Sequence, residues 1–189
     1  MSRMRRALAL LVACCLAGCG GGVETYMPLR QDLSWTYQVR SGFVSYVESA
    51  TAHRPTAVAE EPGFRIAGPL GASQLAWVDG ELLASECAGT RFSPPLALLW
   101  PESKKVRSWK GLVTRAGRTQ SATASSQMTD EKVDIFGRKT PTLKTTIVMQ
   151  MGADEYQLDT WFVREVGIVR QEERKNDELV RSLEHVAGP

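Results

Sequence analysis

Strict two-residue alternation between apolar and polar side chains is the feature that most constrains how this chain can fold. Over residues 34–40, Trp35, Tyr37 and Val39 alternate with polar residues. The same period recurs over residues 143–151. Successive side chains of an extended strand point to opposite faces, so each segment predicts a strand with one buried face.

Turn residues divide the rest of the chain into short segments of the same kind. Asp79-Gly80 is typical of a two-residue hairpin turn, and it predicts a hairpin of residues 73–78 with 81–87. Residues 177–186 fit either a strand or a helix, and we favour the strand. Further strands are predicted over residues 43–51, 64–67, 108–115, 119–128, 131–136, 156–163 and 166–172. Strands with turns at this spacing indicate an antiparallel all-β domain with few or no helices.

Two segments depart from this pattern. Residues 94–101 are apolar and bracketed by prolines, and we expect them to cross the sheet and plug it. Residues 119–126 consist of small and polar side chains without a large apolar face. That composition suits an edge strand or a position that faces water.

The N-terminus has the layout of an export signal. Three arginines (Arg3, Arg5 and Arg6) precede an apolar run of 12 residues from Ala7 to Gly18. A helix needs about 20 apolar residues to span a bilayer. We therefore expect residues 1–18 to be a removable signal peptide.

The junction Leu16-Ala17-Gly18-Cys19 resembles the lipobox of bacterial lipoproteins. That resemblance implies cleavage between Gly18 and Cys19 and attachment of lipid to the Cys19 thiol. Several acyl chains on one residue hold a protein firmly to a membrane. By analogy with such lipoproteins, Gly20 in place of an aspartate favours the periplasmic face of the outer membrane. The alternative is an ordinary secreted protein without an anchor.

The mature chain would consist of a lipidated, Gly-rich tether (19–25) and a single β domain (26–186). The whole chain has a formal net charge of +2, and the signal contains three of its basic residues. The remainder is nearly neutral, without the basic stripe that nucleic acid requires. Once the signal is removed and Cys19 is lipidated, Cys87 has no partner for an intramolecular disulfide, so the core must hold the fold.

Three separated stretches resemble a loose family of uncharacterised bacterial lipoproteins and periplasmic β-domains. Arg107 stands where that family usually has glycine. The stretches are Tyr26-Met27-Pro28-Leu29 with Trp35-Thr36-Tyr37; Pro95-Leu96 and Leu99-Trp100-Pro101 with Val106 and Trp109; and residues 133–146 with Trp161-Phe162 and Val166-Gly167-Ile168-Val169. The resemblance implies a single, strongly curved antiparallel sheet, mostly a meander, that forms a half-barrel or open barrel like periplasmic lipoprotein carriers. It transfers no catalytic residue.

Residues capable of catalysis are few and lack a recognisable motif. A Cys87–His53 pair could serve an envelope hydrolase, but we expect Cys87 to be a buried apolar residue. His53 and His185, with Cys87, lack metal-ligand spacing. The sequence therefore predicts a protein that is not an enzyme and needs neither a metal nor a cofactor.

Two non-catalytic functions remain open. The domain is either an envelope interaction module that binds another protein, or a carrier of lipid or another apolar ligand. A carrier would need an apolar groove, and the side chains expected near it are Leu96, Leu98, Leu99, Met149 and Met151. An interior filled by its own side chains would favour the interaction module.

Overall fold

The computed structural model describes residues 22–102, 105–135 and 137–188. Within them the chain forms twelve strands and one short 3-10 helix, η1 (Val23–Tyr26). The strands are β1 (Ser34–Ser41), β2 (Val44–Val58), β3 (Glu61–Ala67), β4 (Ser73–Val78), β5 (Glu81–Cys87), β6 (Thr90–Leu99), β7 (Arg107–Arg115), β8 (Arg118–Ile135), β9 (Arg138–Met151), β10 (Asp154–Val163), β11 (Gly167–Lys175) and β12 (Glu178–Ala187).

The sheet is an up-and-down meander that closes on itself. Each strand pairs antiparallel with the next one along the chain, and β12 pairs with β1. This confirms the predicted all-β fold with a single, strongly curved antiparallel sheet. Val39 of β1 pairs with Leu183 of β12, and adjacent residues of the two strands pair in the same way. Because this pairing joins the first strand to the last, the sheet is a closed barrel and not a half-barrel.

Local patterns set several strands, and the turn at Asp79-Gly80, as predicted. Trp35, Tyr37 and Val39 are buried on one face of β1. Asp79 and Gly80 both have positive φ, as a tight hairpin turn between β4 and β5 requires. The ambiguous C-terminal segment is strand β12.

Three segments differ from the sequence-based expectation. Residues 119–128 and 131–136 were expected as separate strands, but β8 runs without a break through Ile135. Residues 119–126 lie between β7 and β9 rather than at an edge. Thr119, Ser121, Thr123 and Ser125 are exposed, as the predicted water-facing position requires, while Ala122, Ala124 and Ser126 are buried. Residues 94–99, expected as a plug, belong to the barrel wall as part of β6.

The prolines explain where β6 parts from its neighbour. Pairing of β6 with β7 ends at Ser93, opposite Leu112. Pro94 and Pro95 have no backbone N–H to donate, so the ladder stops there. Beyond them β6 stays paired with β5, and the Leu98 carbonyl accepts a buried hydrogen bond from Thr145 of β9 at 2.7 Å. This bond links strands that β7 and β8 separate in the sheet.

The two ends of the barrel differ. In a meander, successive connections lie alternately at opposite ends. The N-terminal segment packs at the end that contains the β10–β11 turn, where the Glu165 N–H donates to the Thr25 carbonyl at 2.7 Å. We call this the N-terminal end. The β1–β2 turn lies at the other end, which we call the hairpin end, together with the β7–β8 and β11–β12 turns.

Candidate interaction surface

The five side chains predicted to line an apolar groove are all buried in the main core of the barrel. Leu96, Leu98 and Leu99 come from β6, and Met149 and Met151 come from β9. The structure therefore brings the two groups into one core. Leu96 and Met149 line a small internal cavity, together with Phe92, Ile147, Leu158 and other neighbours.

That cavity has a volume of about 30 Å³. Water needs roughly 10–15 Å³ measured in this way, whereas sites for drug-sized ligands have about 300–1,000 Å³. The cavity can hold a water molecule or two, but an acyl chain does not fit. In this conformation the barrel interior is filled by its own side chains.

Ion pairs close the interior towards the hairpin end. Glu173 is 3% exposed, and each of its carboxylate oxygens accepts a hydrogen bond from an arginine, Arg115 or Arg181. Arg181 also donates to the Ala88 carbonyl at 3.3 Å. The Arg115 guanidinium lies over the Tyr156 ring, 4.6 Å from its centroid. The group ties β7, β10, β11 and β12 together across the barrel.

Cys87 and the two histidines do not form a reactive group. Cys87 is buried, and burial raises the pKa of its thiol to about 12. A protonated thiol is a poor nucleophile at neutral pH. His53 is exposed on β2, while His185 is buried with its ring against Tyr37, 5.9 Å between centroids. Burial also lowers the pKa of His185.

The described residues contain neither a candidate metal site nor a helix that could span a membrane. No group of three or more His, Cys, Asp or Glu side chains among them is arranged to hold a metal ion. No helix in the described part of the chain is long and apolar enough to cross a membrane. Cys19 and Gly18 lie outside the described residues.

Trp161, one of the motif aromatics, packs on the outer face of the wall rather than in the main core. With Val133 and Val169 it forms a second, small apolar cluster. Lys144 and Arg170 lie over its ring at 4.6 and 5.0 Å. Its indole N–H donates to Glu131 at 2.9 Å. The hydrogen bond occupies the indole N–H, and the cations and apolar neighbours cover the ring, so Trp161 has a structural role.

Large exposed apolar side chains are concentrated at the hairpin end. Phe43, in the turn between β1 and β2, is fully exposed, and Val44, Tyr46 and Val47 follow it on β2. These side chains occur on both faces of the strand. On the nearby β12, Leu179 and Val180 are also exposed. Exposed apolar side chains grouped in this way make the hairpin end the candidate surface for contact with another molecule.

The β1–β2 hairpin also has an unpaired edge. β2 pairs with β1 from Val44 to Thr51, but β3 pairs with β2 only from Thr51 onward. Every residue from 44 to 49 is exposed. We call residues 44–49 the free edge, because within the described chain no strand pairs with them on the side away from β1.

Sequence reasoning predicted a strand over residues 43–51 but did not mark it as a site. The available signal was its composition. Val44 and Tyr46 lie on one face and Val47 on the other, whereas a half-buried strand carries its apolar residues on one face. Such a pattern also fits a strand buried on both faces, so the sequence alone does not distinguish the two cases.

Comparison with known proteins supports the fold. No protein-family model matches the chain, and no curated protein matches its sequence. A "putative lipoprotein" from Parabacteroides distasonis superposes with a TM-score of 0.52 at 10% identity, covering 85% of this chain and 96% of that one. A "putative exported protein with YmcC-like fold" from Bacteroides fragilis gives a TM-score of 0.50 at 12% identity, with the same coverage. At such identities the likeness establishes the fold alone.

Proposed function

We propose that this protein is a lipoprotein of the bacterial envelope, anchored through Cys19, that acts as a non-catalytic interaction module. The Leu16-Ala17-Gly18-Cys19 junction supports the anchor. The two similar structures named above are of a "putative lipoprotein" and a "putative exported protein", which agrees with an envelope location. The periplasmic face of the outer membrane is the location that Gly20 favours.

One observation carries the choice of an interaction module over a carrier. The interior is filled around a cavity of about 30 Å³, while most of the large exposed apolar side chains lie at the hairpin end. The N-terminal segment packs at the opposite end. An anchor at Cys19 would therefore direct Phe43 and the free edge away from the membrane, towards other envelope proteins.

The absence of turnover is part of the same proposal. Cys87, the one native thiol left in the mature domain beyond the lipidated Cys19, is buried with a raised pKa. Catalysis needs a nucleophile, base or metal placed by its neighbours. The described residues offer no such constellation around Cys87, and His53 is exposed on the wall.

Mass spectrometry and crosslinking test the proposal. The intact mass of membrane-extracted protein should correspond to a chain that begins at Cys19 with added lipid, and Cys19→Ala should abolish the modification. A photo-crosslinking amino acid at Val47 should give a discrete protein adduct in cells. The matched control is Leu112, an exposed apolar residue on β7, which should not.

Two results would overturn the proposal. An unlipidated mature N-terminus at another position would remove the anchor. Co-purification of a stoichiometric lipid with a Cys19→Ser form, seen by native mass spectrometry, would favour the carrier.

A further inference from the structure

We infer that the free edge, residues 44–49, accepts an extended segment of another protein as an added antiparallel strand. This inference rests on the proposed function, because it names the kind of partner that the interaction module binds. The first step is the state of the backbone. Val44–Ser49 bond to β1 on one side, and their remaining N–H and C=O groups face solvent in the described structure. A row of such groups is a template for another strand.

The free edge lacks most of the features that usually prevent strand addition. Natural edges are blunted by charged side chains, especially lysines, by prolines, by bulges or by a covering element. Residues 43–50 read Phe-Val-Ser-Tyr-Val-Glu-Ser-Ala, with Glu48 as the one charged side chain and no proline. The β1–β2 register runs without a shift over this stretch. Side-chain hydrogen bonds from Gln38 to Ser45 and between Thr36 and Ser49, each 3.3 Å, hold the hairpin in position.

The side chains of the free edge define the chemistry of the partner. Val44, Tyr46 and Glu48 lie on one face of the strand, and Ser45, Val47 and Ser49 lie on the other. A β-branched residue opposite Val47 and a basic residue opposite Glu48 would favour a strand that pairs here. Cross-strand pairs of these kinds are favourable, whereas like charges directly opposite each other are not. The antiparallel direction is the more stable one.

The proposed anchor at Cys19 argues against a second copy of this chain as the occupant. Two copies that paired antiparallel along this edge would be related by a two-fold axis, with their barrels pointing in opposite directions. The N-terminal ends would then lie at the far ends of the pair, because each lies opposite its own hairpin end. Lipids on the two Cys19 residues would enter different membranes. The partner is therefore a different chain.

A charge-swap experiment with synthetic peptides tests this inference. The probes are capped, fluorescently labelled hexapeptides, Thr-Lys-Val-Thr-Thr-Val and Thr-Glu-Val-Thr-Thr-Val, which place Lys or Glu opposite Glu48. They are titrated against the mature protein with Cys19→Ser and against the same protein with Glu48→Lys. The wild-type edge should prefer the Lys peptide by about three- to tenfold, and Glu48→Lys should reverse the preference. Bound Lys peptide should slow amide exchange at alternate residues of 44–49. Glu155→Lys, at an exposed glutamate of β10, is the matched control and should keep the wild-type preference.

Three results would overturn the inference. The first is no binding of either peptide at millimolar concentration. The second is a preference that Glu48→Lys leaves unchanged, or amide protection outside residues 44–49. The third is efficient disulfide-linked dimerisation of a Val47→Cys variant, which would make a second copy the occupant. The lipid anchor and the crosslink at Val47 in cells are tested by separate experiments. Failure of this inference is therefore distinguishable from failure of the proposed function.

Discussion

Replacing Glu173 with glutamine should destabilise the barrel by about 2 kcal/mol. Removing one partner of a buried ion pair costs about 3–5 kcal/mol, because the remaining charge is left without compensation. Here the side chains of Arg115 and Arg181 are 25% and 24% exposed, so water can solvate part of each released guanidinium. Glutamine keeps one acceptor oxygen for one of the two arginines. Solvation of the arginines and the remaining acceptor oxygen both reduce the expected loss of unfolding free energy. The loss should approach the value of a single charged hydrogen bond, about 1.5–3 kcal/mol.

Urea unfolding followed by circular dichroism measures this effect. With a slope of about 2 kcal/mol per molar urea, the midpoint should fall by about 1 M. Glu155→Gln, at an exposed carboxylate, is the control and should change stability by less than about 0.5 kcal/mol. Adding Arg181→Met to Glu173→Gln should restore part of the loss, because it removes a charge that lost its partner. A shift for Glu173→Gln no larger than that of the control would refute the reasoning that Arg115 and Arg181 depend on Glu173 as a buried ion-pair partner.

Three further predictions concern other parts of the barrel. Burial lowers the pKa of His185 below its ordinary 6.5, so the unfolded chain takes up a proton before the folded one does, and stability should fall as pH drops through about 6.5. His185→Gln should reduce that decline, as measured by urea midpoints between about pH 7.5 and 5.5; parallel curves for the two proteins would contradict it. Gly111→Ala should destabilise the β6–β7 contact, because its Cβ would strike the Ser93 carbonyl and the Pro94 ring; a melting temperature equal to that of wild type would contradict the packing described there. Phe162→Ala removes a fully buried ring and should cost about 3–5 kcal/mol by denaturant unfolding; a loss below about 1 kcal/mol would place the ring outside the core.

Much of the fold was predictable because strand patterns and tight turns are local. The alternation at Trp35, Tyr37 and Val39 identified both the strand and its buried face. Asp79-Gly80 marked the hairpin between β4 and β5, since few other residue pairs accept positive φ at both positions. The prolines at 94, 95 and 101 predicted a segment that crosses and plugs the sheet, but the effect of Pro94 and Pro95 depended on the partner strand. They end pairing with β7 while pairing with β5 continues.

The candidate site was less predictable from the sequence. Leu96 and Met149 were expected near a groove, and both are buried beside the small cavity, because apolar side chains on strands pack inward whether or not space remains. The amount of remaining space depends on how closely opposite walls approach. The hydrogen bond from Thr145 to the Leu98 carbonyl shows that approach, and no local pattern specifies it. Phe43 and Val47 read as ordinary strand residues until the missing neighbour of β2 was known.

The sequence by itself determined most of the strands, the buried face of strands such as β1 and the export-signal pattern at the N-terminus, because each depends on residues close together along the chain. Only the tertiary structure decided that β1 meets β12, that the interior is filled, and that residues 44–49 lack a second partner. These properties depend on accumulated twist and on where distant strands begin and end. β3 pairs with β2 only from Thr51 onward, so the first part of β2 keeps a free edge that its own sequence does not reveal.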